Sequence, residues 1–150
     1  MSIKSQEANM RRLAELLGKN LSYLHGDRAC GPNGEKKVFL NVGKAFLKAL
    51  GKDLGLRDVR VLANPGGIAV FGDCVLSGMW EENGIYVCVS QFSGSQDLAV
   101  CYRTVRHGRD FKGGYNQYIS RGALGQMSYE DILAQLKSLR KGVCSYERAA

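Results

Sequence analysis

Histidine is scarce in this chain. His25 and His107 are the only two among 150 residues, and neither sits in a nucleophile or metalloprotease pattern such as G-x-S-x-G or H-E-x-x-H. General acid–base chemistry near neutral pH has little to draw on, so the expectation is a protein without catalytic activity. The five cysteines, Cys30, Cys74, Cys88, Cys101 and Cys144, contain no C-x-x-C pair. Zinc needs four ligands, and His25 with Cys30 and Asp27 finds no second pair to complete a set, so neither a metal nor a cofactor is expected. An odd number of cysteines, with no charged-then-apolar leader ahead of them, fits a reducing cytoplasm. Apolar runs are only a few residues long, against roughly 20 for a membrane span, so no membrane partner is expected. Phosphate loops of the P-loop or dinucleotide type are also missing, because NPGGIAVFG (Asn64 to Gly72) lies between strand-like runs and opens no helix. The absence of helix-turn-helix, RNP-like and zinc-finger signatures removes support for sequence-specific readout of nucleic acid.

What is present reads as one α+β domain over residues 1–150. The length is ordinary for a single core, and 23% charged with 45% hydrophobic residues is the balance of a folding chain, not of a disordered tail. Met10, Leu13, Ala14, Leu17 and Leu21 recur at the spacing of one helical face. A loop follows from His25 to Glu35, with Pro32 and Asn33-Gly34 as turn chemistry. The second helix is expected from about Asn41 to Leu54, burying Val42, Ala45, Phe46, Ala49 and Leu50 and ending near Gly55. From Asp58 the period changes to that of strands: Val59 and Val61 alternate with Asp58 and Arg60, Asn64-Pro65-Gly66-Gly67 turns into Ile68 to Phe71, and further strands are expected around Val75 to Trp80, Ile85 to Phe92 and Leu98 to Arg106. Asn83-Gly84 is the residue pair that a type I′ hairpin prefers. A turn centred between Gly94 and Ser95 places Cys88 and Cys101 opposite each other as buried free thiols. A short extended piece from Tyr115 to Ser120 adds a strand, and Ser128 caps a last helix that buries Ile132, Leu133, Leu136 and Leu139 and ends at Gly142. Two N-terminal helices, an antiparallel meander of four to five strands and one C-terminal helix result.

The net charge of +7 and the pI near 9.3 point to nucleic acid or an acidic protein surface as partner. The charge concentrates in YRTVRHGRDFKGGYN (Tyr102 to Asn116), where Arg103, Arg106, His107, Arg109 and Lys112 crowd a loop holding Gly113 and Gly114. Strand alternation sets Arg103 opposite to Tyr102 and Thr104, with Arg106 on their side. Two readings of the loop are open. Gly113-Gly114 lets the backbone approach a ligand, and successive amides form an anion-binding concavity that suits phosphate. In the other reading the glycines make a bulge or turn, Asp110 bonds nearby amides or pairs with Arg109, and the cations are solvated. Tyr102, Phe111, Tyr115 and Tyr118 interleave with the cations and offer stacking surfaces if exposed. Lys44, Lys48 and Lys52 form a second basic stripe, either touching phosphates or serving as a wet helix face. Trp80, beside Met79 and an acidic turn, is either an interface anchor or a lid on the core under the hairpin.

The run from Asn64 to Phe92, followed by Tyr102 to Tyr118, resembles small proteins carried on proteobacterial plasmids, integrative elements and phages. The resemblance rests on Tyr86-Val87-Cys88-Val89-Ser90-Gln91 for their YV-x-V/I-S-Q strand and on Gly108 to Asn116 for their G-R-x-[FY]-x-G-G-x-N loop. It implies a mobile-element setting and no defined chemistry.

The expected function is therefore a non-catalytic binding protein of a mobile element that contacts nucleic-acid phosphates through Arg103, Arg106, His107, Arg109 and Lys112, with Tyr115 and Asn116. The alternative is a protein-directed inhibitor of a host defence complex, of the anti-restriction or anti-CRISPR kind. A third reading, a small enzyme on a phosphorylated ligand, requires His107 in a cleft.

Overall fold

Ser2 starts the first helix, α1 (Ile3–Leu17), its hydroxyl accepting from the Ser5 amide, and the apolar stripe behind it buries Met10, Leu13, Ala14, Leu16 and Leu17. The computed structural model describes residues 2–19, 34–66, 71–92, 97–107, 110 and 113–140, so Leu21 and the loop from His25 to Asn33 lie outside the described residues. Helix α2 (Glu35–Asp53) begins well before Asn41, because Phe39 extends the buried stripe of Phe46, Leu47 and Leu50 backwards by two turns. Its inward line also runs through Gly43, where a Cβ would stand 2.5 Å from Cys74 Sγ. That close approach rotates the helix, leaving Val42, Ala45 and Ala49 half-buried. Gly55, at φ 71°, follows the end of α2 as the sequence predicts.

Five strands follow: β1 (Arg57–Asn64), β2 (Asp73–Met79), β3 (Gly84–Ser90), β4 (Leu98–Val105) and β5 (Gln117–Ser120). They form one antiparallel sheet in the order β1-β2-β3-β4-β5. Of the run from Ile68 to Phe71, only Phe71 is described, and it is buried outside any strand. Cys88 pairs directly with Cys101, in the expected register, and both thiols are free and buried. The β2–β3 connection is not a two-residue type I′ turn. Met79 pairs with Gly84, so the loop is Trp80 to Asn83, and neither Asn83 nor Gly84 has the positive φ such a turn requires. Asn83 instead turns inward and donates from Nδ2 to Leu139 O at 3.0 Å.

After β5 comes a four-residue helix that the sequence reading did not separate, α3 (Arg121–Leu124), capped by Ser120. Ser128 then opens α4 (Tyr129–Lys137) by accepting from the Asp131 amide, as expected. This helix stops at Lys137 with Ser138 as cap, short of Gly142, which lies outside the described residues. Ile132 and Leu136 are buried, while Leu133 and Leu139 are half-buried against the core.

The helices share one side of the sheet. Cys74, Leu76, Val87, Val89, Val100, Tyr102 and Ile119 project into the core with Met10, Leu13, Phe46 and Leu50. Polar ties lock the layer: Gln6 Nε2 donates to Phe46 O at 3.0 Å, and the Tyr129 hydroxyl donates to Asp53 Oδ2 at 2.6 Å. Among the described residues, no helix covers the other face of the sheet. No described helix is long and apolar enough to cross a membrane.

Candidate nucleic-acid interface

The segment after β4 is organised by a carboxylate. Asp110 is 5% exposed, and its Oδ2 accepts from the Arg106 amide at 2.9 Å and from Arg106 Nε at 3.0 Å. Burial of a carboxylate demands such donors. With Nη2 donating to Oδ1 at 3.3 Å as well, Arg106 supplies three N–H groups that hold the loop, although its side chain is largely in water. Asp110 thus bonds a nearby amide, as the second reading of the loop expects; Arg109 and Lys112 lie outside the described residues.

Gly113 and Gly114 lie hard against β4. The Gly114 amide donates to Thr104 O at 3.0 Å. A Cβ on Gly113 would collide with that same Thr104 oxygen, and one on Gly114 with Thr104 Oγ1. The pair is accounted for by packing of the loop on the strand, which is the second of the two readings above.

Arg103 and Arg106 both reach Asp110, the first at its backbone oxygen and the second at its carboxylate. Arg103 stands on the open face of the sheet, its guanidinium carbon 4.9 Å from the centroid of the Tyr86 ring and its Nη2 donating to Asp110 O at 2.9 Å. Tyr102 faces the other way and is buried, its hydroxyl accepting from Gln135 Nε2 at 2.7 Å, so it offers no stacking surface. Tyr115 is 93% exposed and Asn116 is exposed beside it.

Register links across the strands organise the open face into rows. Arg60 pairs with Ser77, Ser77 with Tyr86, and Tyr86 with Arg103. This row carries a cation at each end with a tyrosine between them, and at the usual strand spacing its ends are roughly 14 Å apart. The adjacent row runs Leu62, Val75, Cys88, Cys101, Tyr118 across all five strands. Its centre is made of small buried thiols and its rims are exposed, Leu62 at 58% and Tyr118 at 45%. Phe92 supports the Tyr118 ring edge-on, with centroids 6.0 Å apart and planes at 84°. The result is a row with exposed apolar ends and a buried apolar centre, beside a cationic row.

Burial keeps these thiols protonated. The Cys88 pKa is pushed up to about 12, by desolvation first and by the Asp73 charge second. Desolvation likewise raises that of Cys101. They are apolar floor, not nucleophiles.

His107 is exposed and reaches a different feature, a groove of about 610 Å³ lined also by Asp58, Val59, Arg60, Ser77, Gly78 and Met79. Among the described residues, no cluster of three or more His, Cys, Asp or Glu side chains is placed to hold a metal.

The remaining candidates fall elsewhere. Lys48 and Lys52 are exposed and Lys44 half-buried on α2, in the helix layer and not on the open face. Trp80 is 3% exposed, with Nε1 donating to Leu54 O at 2.8 Å. It closes the core under the hairpin and has no surface left to anchor a partner. Arg60, Leu62, Tyr86 and Phe92 escaped the sequence reading. The signal that finds three of them is the register sum, which places Arg60 and Tyr86 in line with Arg103 and Leu62 in line with Tyr118. Comparison of the chain with protein-family models, curated proteins and solved structures finds no match.

Proposed function

We propose that this chain is a non-catalytic protein of a mobile genetic element that binds single-stranded nucleic acid across the open face of its sheet. Phosphates follow the cationic row of Arg60 and Arg103, and bases lie against the exposed ends of the neighbouring row, Leu62 and Tyr118. The observation that carries the reading is the adjacency of these two rows on a face that no described helix covers. Exposed rings on a sheet accept unpaired bases because every base has a π-face, whereas a duplex hides those faces. The positive charge of the chain draws the strand in from a distance.

Fluorescence anisotropy of labelled single-stranded and duplex oligonucleotides tests this, using Arg60→Ala and Tyr118→Ala, two exposed positions whose loss leaves the core intact. Tyr118→Ala should weaken single-strand binding by about 1–3 kcal/mol. Arg60→Ala should reduce the slope of log K against log salt by about 0.7, the value of one single-strand phosphate contact. No binding at low salt would overturn the proposal and leave the face to a protein partner. Arg106 is the wrong residue for such a test, because reversing its charge sets a carboxylate against buried Asp110.

A further inference from the structure

β1 is interrupted where it meets the groove. Its register with β2 shifts between Arg57 and Arg60, and Asp58 inside that bulge adopts φ 54°, the one non-glycine residue with positive φ among the described residues. Aspartate is one of the few residues with a Cβ that adopt the left-handed conformation readily, so Asp58 can hold this bulge without glycine. Bulges also re-aim side chains, and this one turns Asp58 into the groove that Arg60, Ser77, Met79 and His107 line.

We infer that this groove holds one unpaired nucleotide, with its base against Met79 and His107, the edge of the base on Asp58 and its phosphate on Arg60. The choice of ligand rests on the nucleic-acid reading; the site itself rests on the groove. Three features select a nucleotide. A volume of about 610 Å³ is that of a small-ligand pocket and exceeds what a phosphate alone would fill. The lining combines a thioether, an imidazole and Gly78 with polar groups of both signs, matching a flat ring that carries a polar edge and an anionic tail. Arg60 and Ser77 belong both to the groove and to the cationic row, so a strand following that row delivers a phosphate to the groove mouth.

The base follows from the carboxylate. Asp58, when ionised, only accepts hydrogen bonds, and a carboxylate has two oxygens side by side. Guanine presents two neighbouring N–H donors, N1–H and the N2 amino group, that match them together. Adenine and cytosine bring a single amino group to such an edge, and uracil one imino N–H. Among the described residues neither Asp58 nor Arg60 makes a side-chain hydrogen bond or ion pair, so neither of these two side chains has to leave such a partner to receive the ligand.

The test is a titration of the isotope-labelled protein with GMP, UMP and ribose 5-phosphate, followed by NMR at the Met79 methyl and the His107 ring, with Asp58→Asn alongside. Asparagine also tolerates the left-handed region, so the variant keeps the bulge and removes only the charge. Expected are shifts at both probes with GMP, binding at least several-fold weaker for UMP, and a tenfold or greater loss of GMP affinity in Asp58→Asn. Ribose 5-phosphate binding as tightly as GMP would reduce the groove to a phosphate site and overturn the inference. So would the absence of shifts with any nucleotide at millimolar concentration. Oligonucleotide binding by the wild type, measured by anisotropy, reports separately on the sheet face. If it persists while GMP gives no shift, the groove assignment falls and the sheet reading stands. GMP shifts without oligonucleotide binding would do the reverse.

Discussion

Replacing Gly113 by alanine separates the two readings of the glycine pair. If the glycines exist so that a phosphate can approach the backbone, a methyl group at 113 should damage binding and leave stability alone. The packing at β4 requires the opposite. A Cβ at 113 would meet the backbone oxygen of Thr104 and would also stand 2.7 Å from Arg103 Nη1 and 3.1 Å from Asp110 Oδ2. A backbone oxygen engaged with the Gly114 amide cannot rotate away, so the strand end or the loop has to shift. Overpacking of this kind costs about 1–3 kcal/mol. The entropy removed from the unfolded chain by a Gly→Ala change offsets about 0.4–1 kcal/mol. The expected net loss is about 1–2 kcal/mol, which for a domain of this size lowers Tm by roughly 3–8 °C. Gly114→Ala should cost less, because its obstacle is the Thr104 hydroxyl, and the double variant with Thr104→Ala should recover most of the loss. Thermal and urea unfolding followed by circular dichroism provide the measurement, with oligonucleotide binding recorded on the folded variants. A Gly113→Ala protein that melts with the wild type but no longer binds nucleic acid would refute the packing argument and return the loop to the ligand.

Two other predictions concern the interior. Burial, the leading cause, pushes Cys74 and Cys88 from an ordinary value of 9.0 to about 12 and Tyr86 from 10.0 to about 12. The unfolded chain therefore loses these protons first. Their contribution to stability is complete below about pH 9 and is lost as pH rises through 9 to 12, so urea midpoints should fall steadily across that window; a flat profile would contradict it. At the helix–sheet contact, Gly43→Ala gains about 1 kcal/mol of helix propensity but drives a methyl against Cys74. The single change should be destabilising, and Gly43→Ala with Cys74→Ala should be more stable than the two single losses added together, a coupling that a double-mutant cycle in urea would read.

The fold was largely legible because its signals are local. Alternation, short turns and the Ser128 cap fix the meander and the last helix, and a constant index sum is enough to oppose Cys88 and Cys101. The misreadings occur where a distant partner decides the outcome. Gly43 turns α2 because β2 lies against it, and Asn83 leaves its turn chemistry to bond Leu139, 56 residues away. The basic segment illustrates the same limit from the functional side. Alternation sets Arg103 and Arg106 on opposite faces, and Asp110 bonds a nearby amide as expected, but nothing local says that both arginines will reach Asp110, that Gly113 and Gly114 will fold back on Thr104, or that Tyr86 will lie under Arg103. Charge density along a sequence measures how many cations are present; pairing across a sheet decides which of them share a surface. Here that pairing brings Arg103, whose guanidinium also bonds Asp110 O in the loop, into line with Arg60, 43 positions earlier, and places His107 over a bulge in the first strand. The described part of the conspicuous loop, Asp110 with Gly113 and Gly114, packs on the end of β4. The proposed binding surface is assembled from Arg60, Leu62, Tyr86 and Tyr118, residues that look ordinary one strand at a time.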